Sequence, residues 1–244
     1  MGKNKLKKFE TLHHLPNVYE NFSFRDPQLI AAGGHPVDFK GQWSKRHFLN
    51  NQPLTLELAC GRGEYTVAMA GLYPERNFIG IDIKGARIFQ GATQALHEQK
   101  NNAAFVRMRI EKVHFYFQLQ EVNDIWITFP DPFLRESNAN RRLTSPDFLR
   151  RYQQIIHQEG RLHLKTDDDT LYQYSLEILR DYPDATILYH DDNIYSKPLP
   201  LRELAIKTYY ERIHEAKGKS IKYIQFQLKP LNDKHFEFLP QETN

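Results

Sequence analysis

Cysteine is almost missing from this sequence: the 244 residues hold one, Cys60, so no disulfide can form within the chain, and a lone thiol fits a reducing cytoplasm. Long apolar runs are missing as well, none approaching the roughly 20 residues that cross a bilayer. The opening segment, MGKNKLKKFETLHHLP, lacks the apolar stretch of a secretory signal, and Leu6 stands where a myristoylation signal needs Ser or Thr. The eleven histidines include no pair with metal-ligand spacing, which leaves no zinc site to expect. A strong charge of either sign is also lacking. The net charge is only +3, which decides neither for nor against a nucleic-acid partner.

What is present is enough apolar and aromatic material, 40% and 13% of residues, to exclude a disordered tail or a small disulfide scaffold. A chain of this length buries roughly 70–75% of its unfolded surface, which favours one large α/β domain over two small ones. Lys3, Lys5, Lys7 and Lys8 crowd the N-terminus, either as a solvated tail or as a phosphate-binding arm. The first 50 residues carry Pro and Gly without periodicity and read as a basic arm ending in a short helix near residues 43–49. The ordered pattern occupies residues 51–230, and residues 231–244 read as a tail. Within it, apolar runs at 54–60, 78–83, 105–108, 124–129, 161–165, 186–189 and 221–228 predict seven strands. Helical spacing at 64–73, 85–99, 146–157 and 170–181 alternates with them, Ser145 reading as an N-cap before Pro146. Strand and helix in turn predict a mostly parallel sheet with helices on both faces and a ligand site beyond the strands' carboxyl ends.

Chemistry gathers at those ends. LELACGRGEYTVAMA is a strand, a turn at Gly61 and Gly63, and a helix, the pattern that brings a ligand close to bare backbone at a helix N-terminus. Glu57 is an acid inside the apolar strand and needs a partner, and Asp82 ends the next strand 25 residues later, where nucleotide folds keep a ribose acceptor. Thr66 replaces the third glycine of the dinucleotide fingerprint. This disfavours a nicotinamide dehydrogenase and favours a nucleoside without pyrophosphate, as in a Rossmann-like, seven-stranded class I methyltransferase using S-adenosylmethionine (SAM). Pro130 and Pro132 frame Asp131 in a rigid turn facing the expected cofactor, followed by Arg135, Arg141 and Arg142, either phosphate contacts or a solvated loop. Asp167 reads as a helix N-cap, the commoner use of such an Asp, or as an acceptor for a substrate base. Tyr209 and Tyr210 either stack on a base or pack the sheet, packing being the default. Cys60 borders the glycine turn with nothing near it in sequence to activate a thiolate.

In this order the motifs resemble the bacterial tRNA (guanine-N7)-methyltransferase family (TrmB) over residues 54–228: E-x-x-x-G-x-G-E at 57–64, FIGIDIKGAR at 78–87, FPDP at 129–132 with RRL at 141–143, and T-x-x-E at 208–211. The proline-framed acid joined to the late T-x-x-E is far more specific than the glycine turn. The resemblance implies N7 methylation of a tRNA guanine, at position 46 of the variable loop. It further implies SAM contacts at Glu57, Gly61, Gly63, Asp82 and Asp131, catalysis by Asp131, and tRNA contacts at Arg135, Asp167, Thr208, Tyr209, Tyr210 and Glu211. Three positions depart from the pattern. Ala59 replaces the first glycine, which an ordinary strand backbone would allow. Arg109, with Glu111 two residues on, stands where an acid usually meets the adenine. LRESNANRRL is poor in cations, which shifts the expected tRNA grip toward others such as the N-terminal lysines. Two rivals stay open on sequence: a SAM enzyme acting on a small molecule or protein, and a non-catalytic RNA-binding partner of the same fold. A monomer and a homodimer are not separated by the sequence.

Overall fold

The structure, a computed structural model, describes residues 10–231 except 22, 24 and 25, so the four N-terminal lysines and nearly all of the expected C-terminal tail lie outside the described residues. The chain runs β1 (Val18–Glu20), β2 (Leu29–Ile30), β3 (Pro36–Val37), a π-helical turn (Trp43–His47), β4 (Leu54–Leu58), α1 (Glu64–Leu72), β5 (Asn77–Asp82), α2 (Gly85–His97) and β6 (Ala103–Arg107). It continues through α3 (Val113–Tyr116), β7 (Val122–Thr128), α4 (Pro146–Gln153), β8 (Ile156–Thr166), α5 (Asp169–Asp181), β9 (Ala185–Asp191), α6 (Tyr209–Ala216) and β10 (Lys222–Leu228).

Among the described residues ten strands form one sheet, ordered β3-β2-β1-β6-β5-β4-β7-β8-β10-β9. The seven strands expected from the sequence are β4 to β10, and the count of seven is corrected to ten. Three short strands of the first 50 residues extend the sheet, β1 running parallel to β6 with Val18 opposite Phe105. They are two or three residues long and broken by Pro and Gly, too short to show an alternation. From β4 the chain winds through β5 and β6 to one side and through β7 and β8 to the other, so the order reverses between β4 and β7. A crevice opens at such a switch point, outside the strands' carboxyl ends.

Both sheet faces are covered, which is why β4 (LTLEL) and β5 (NFIGID) are buried at every position instead of alternating with polar residues. Neighbours along a strand point to opposite faces: Ile79 joins the core under α4 and α5, Phe78 the core under α1 and α2. On the second face Trp126 of β7 stacks flat on His163 of β8, ring centroids 3.9 Å apart, and His163 Nδ1 shares a hydrogen bond of 2.7 Å with the Tyr223 hydroxyl of β10. Two expected boundaries move. Helix α4 stops at Gln153 and β8 starts at Ile156, inside the helix expected over 146–157, because Ile156 pairs with Val122 on the far side of a bulge. Ser145 takes the N-cap position before Pro146, but its hydroxyl donates to Asn140 O at 3.0 Å and makes no cap bond.

Candidate functional site

A cleft of about 330 Å³ lies at the switch point, lined by the turn after β4, the turn after β7, the start of α5 and the first turn of α6. Its size falls in the range of small-ligand sites. Ala59, expected in ordinary strand conformation, has φ +59, and Phe129 and Phe133 are left-handed as well, φ +49 and +45. Such backbone costs roughly 1–3 kcal/mol per residue and gathers where a site requires it. Here it bends the chain sharply as it leaves β4 and on both sides of Asp131.

The two glycines of the turn do different work. A β-carbon on Gly61 (φ +55) would meet only Ala59 O, at 3.9 Å, so the bare backbone at 61 faces the cleft. A β-carbon on Gly63 (φ +71) would strike the Phe105 ring at 2.5 Å; Gly63 serves the packing of α1 against β6 and does not line the cleft. Glu57 has the partners it needs: its carboxylate accepts from the Thr66 N–H at 2.8 Å, the Thr66 hydroxyl and the Thr128 hydroxyl at 2.7 Å. Burial pushes its carboxyl up to about 7 despite those bonds. Asp82 braces the turn from behind, accepting from Gly61 N at 2.9 Å and Lys84 N at 2.7 Å.

Across the cleft, Asp131 is exposed on its proline-framed turn and, among the described residues, has no hydrogen-bond or ion-pair partner. The turn is held from beneath by Arg142, whose side chain is 1% exposed and donates to Pro132 O at 3.1 Å and to Phe133 O at 3.0 Å while lying over the Tyr174 ring. The two readings offered for Arg142, phosphate contact or solvated loop, both give way to this clamp. Arg141 covers the Phe133 ring at 4.5 Å, and Arg135 is exposed further along the loop, outside the lining. Arg109 is also outside the lining, its guanidinium 3.9 Å from Glu111.

The helix cap expected at Asp167 belongs to Asp168, which accepts from Leu171 N at 2.8 Å. Asp167 instead turns to the cleft, one carboxylate oxygen lying 2.5 Å from Lys219 Nζ and 2.7 Å from His214 Nδ1. Burial works to raise its carboxyl, but the contacts with Lys219 and His214 outweigh burial and hold it below the usual range. T-x-x-E is half of a capping box: Thr208 Oγ1 accepts from Glu211 N at 3.2 Å, but the Glu211 carboxylate does not reach back. It is fully buried against Lys165 Nζ at 2.8 Å and takes the Tyr195 hydroxyl, away from the cleft. Tyr209 and Tyr210 stand 44% and 38% exposed at the rim and do not pack the sheet. Sequence reasoning passed over Arg62, Glu64, Arg87, His214 and Lys219, all in the lining. Arg62, enclosed by two glycines, and Glu64 and Arg87, at the ends of two motifs, carried a local signal but were given no role.

A family model described as "Putative methyltransferase" matches residues 51–224. The tRNA (guanine-N(7)-)-methyltransferase of Christiangramia forsetii is 40% identical over 228 residues, 93% of this chain and 99% of that relative. The chain belongs to the bacterial tRNA (guanine-N7)-methyltransferase family. Relatives of the same name from Porphyromonas gingivalis (44% identity, 87% of this chain and 85% of the relative) and Cytophaga hutchinsonii (38%, 95% and 100%) agree. Among solved structures, the 16S rRNA (adenine(1408)-N(1))-methyltransferase from Catenulisporales acidiphilia superposes with TM-score 0.58 at 12% identity, covering 83% of this chain and 100% of that one. The 16S rRNA methyltransferase KamB gives 0.55 at 14%, covering 81% and 98%. These two establish the class I methyltransferase fold for this member of the tRNA (guanine-N7)-methyltransferase family.

Proposed function

We propose that the protein transfers the methyl group of SAM to N7 of a guanine in tRNA, at position 46, in the cytoplasm. The observation that carries this reading is Asp131: an exposed carboxylate without a partner among the described residues, on a rigid turn that shares a cleft with the bare backbone of Gly61. That bare turn and the cleft's volume fit a nucleoside-sized donor. Bound there, SAM supplies a methyl group on a sulfonium, a leaving group that needs no proton.

Guanine N7 already presents an in-plane lone pair, so no side chain has to remove a proton to create the nucleophile. Positioning then carries most of the rate, and well-oriented reactants gain roughly 7–11 kcal/mol. Methylation leaves positive charge on the purine, and the Asp131 carboxylate at the ring favours that charged transition state over the neutral base. Asp167, kept ionised by Lys219 and His214, accepts from the guanine N1–H and exocyclic amine. Glu211, committed to Lys165, anchors α6 and leaves that recognition to Asp167. Thr208 caps the same helix, and Tyr209 and Tyr210 offer stacking surface at the rim.

Incubation with labelled SAM and unmodified tRNA, followed by reductive cleavage at N7-methylguanine and primer extension, tests the reading. A cut at position 46 is expected. Methylation that survives ribonuclease treatment would move the substrate to a protein or small molecule, and absence of methylation with intact RNA binding would leave a non-catalytic partner.

A further inference from the structure

Most charged side chains of the cleft lining are committed within the protein. Glu57 holds two threonines, Glu64 accepts the Tyr209 N–H at 2.8 Å, Asp167 pairs with Lys219 and His214, and Asp168 caps α5. Arg62 and Arg87 are different. Among the described residues neither has a carboxylate within 4.0 Å, yet both line the cleft. Each instead lies over tyrosine: the Arg62 guanidinium carbon is 4.3 Å from the Tyr209 ring centroid and 5.7 Å from that of Tyr210, and Arg87 approaches Tyr210 to 5.9 Å. The two rings meet edge to face, centroids 5.6 Å apart.

This arrangement suits one kind of ligand. A guanidinium laid on a ring face uses its π surface, leaving its planar N–H edges free to fork onto an oxyanion. The stacking also restrains a long side chain before the ligand arrives, which lowers the entropy lost on binding. Two such cations beside a cleft for a positively charged sulfonium are electrostatically unfavourable until an anion comes between them. Half-exposed tyrosines between the cations add a platform for a base, the combination that grips single-stranded nucleic acid.

We propose that Arg62 and Arg87 form a phosphodiester-binding site for the nucleotide next to the target guanine, with Tyr210 between them as the platform for its base. The site rests on the tRNA reading above and deepens it. It moves part of the RNA grip from the cation-poor loop after Asp131 to the donor side of the cleft.

The test measures tRNA affinity against salt concentration for the full-length protein and for Arg62→Gln, Arg87→Gln and the double variant. Calorimetry with S-adenosylhomocysteine and a thermal melt accompany each. Each single change should lower the log–log salt slope by about one, the double by about two, with S-adenosylhomocysteine affinity within about twofold of wild type. Arg62→Lys and Arg87→Lys should restore the slope. A double variant that keeps the wild-type slope, while the wild type binds and methylates tRNA, overturns the site and leaves the function standing. Lost S-adenosylhomocysteine affinity with an unchanged slope also overturns it, assigning the arginines to the carboxylate of the methionine moiety. A wild-type protein that neither binds nor methylates tRNA overturns both.

Discussion

Lys165, at the end of β8, and Glu211, on the first turns of α6, are both fully buried and meet at 2.8 Å. The same ammonium donates to Leu204 O and Ile206 O, each at 3.0 Å, so one cation ties the whole approach to α6 onto the sheet. Burial lowers the Lys165 ammonium from its ordinary range, opposed by the Glu211 carboxylate.

Removing one partner of a buried pair strands the other charge, a loss of about 3–5 kcal/mol. Glu211→Ala is therefore expected to lower unfolding stability by that amount, read by urea denaturation. An unchanged midpoint together with lost tRNA methylation would return Glu211 to direct contact with the base.

Asp131→Asn keeps the shape of the turn and removes its charge. Turnover should fall roughly 10²–10³-fold, the range for losing one electrostatic contact to a developing charge, with S-adenosylhomocysteine affinity unchanged. Single-turnover methylation that proceeds at the wild-type rate would remove Asp131 from the mechanism.

Arg142 holds the turn that bears Asp131, with Glu136 and the Tyr174 ring as its other contacts, and does not line the cleft. Lysine cannot reproduce its fork to two carbonyls. Arg142→Lys should cost about 1–3 kcal/mol of stability for the lost buried bonds. It should also lower kcat by up to about 10²-fold, as a misplacement near 1 Å would, leaving KM for SAM in place. Lower stability with unaltered kcat would confine the clamp to folding.

Glu57 makes stability depend on pH. The unfolded chain releases this proton near 4.5 and the folded protein near 7, because burial favours the neutral acid. Between those values the folded state holds more protons, so stability falls as pH rises, by about 3 kcal/mol, and levels off above 7. Glu57→Gln should flatten that part of the curve in denaturant melts at pH 4.5 and 7.5. Parallel curves for the two proteins would move the dependence to another group.

Strands β4 to β8 and β10 were legible because a sheet covered on both faces writes itself as apolar runs, β9 at the sheet edge by a shorter one, and the acids Glu57, Asp82 and Asp131 because a carboxylate inside an apolar strand, at a strand end or in a proline frame is conspicuous. The conformation of Ala59 was not legible, since alanine gives no sign of a left-handed backbone; its φ is imposed by the turn that Asp82 braces. Nor was the fate of Glu211. T-x-x-E reads locally as a capping box, and the partner that diverts its carboxylate is 46 residues away in sequence. Lys165 looked like the polar end of a strand, and Arg142 like one more loop cation. Each acquires its role only where chain ends distant in sequence come together.

Glu64 belongs to α1, yet its carboxylate holds the backbone of Tyr209 in α6, and Arg62 two residues before it rests on the Tyr209 ring. The turn after β4 and helix α6 are thus fastened directly to each other. A cleft built that way does not need one ligand to assemble the pocket of the other. Under the proposed function the expected kinetic counterpart is random-order addition, with SAM and tRNA each binding the free protein.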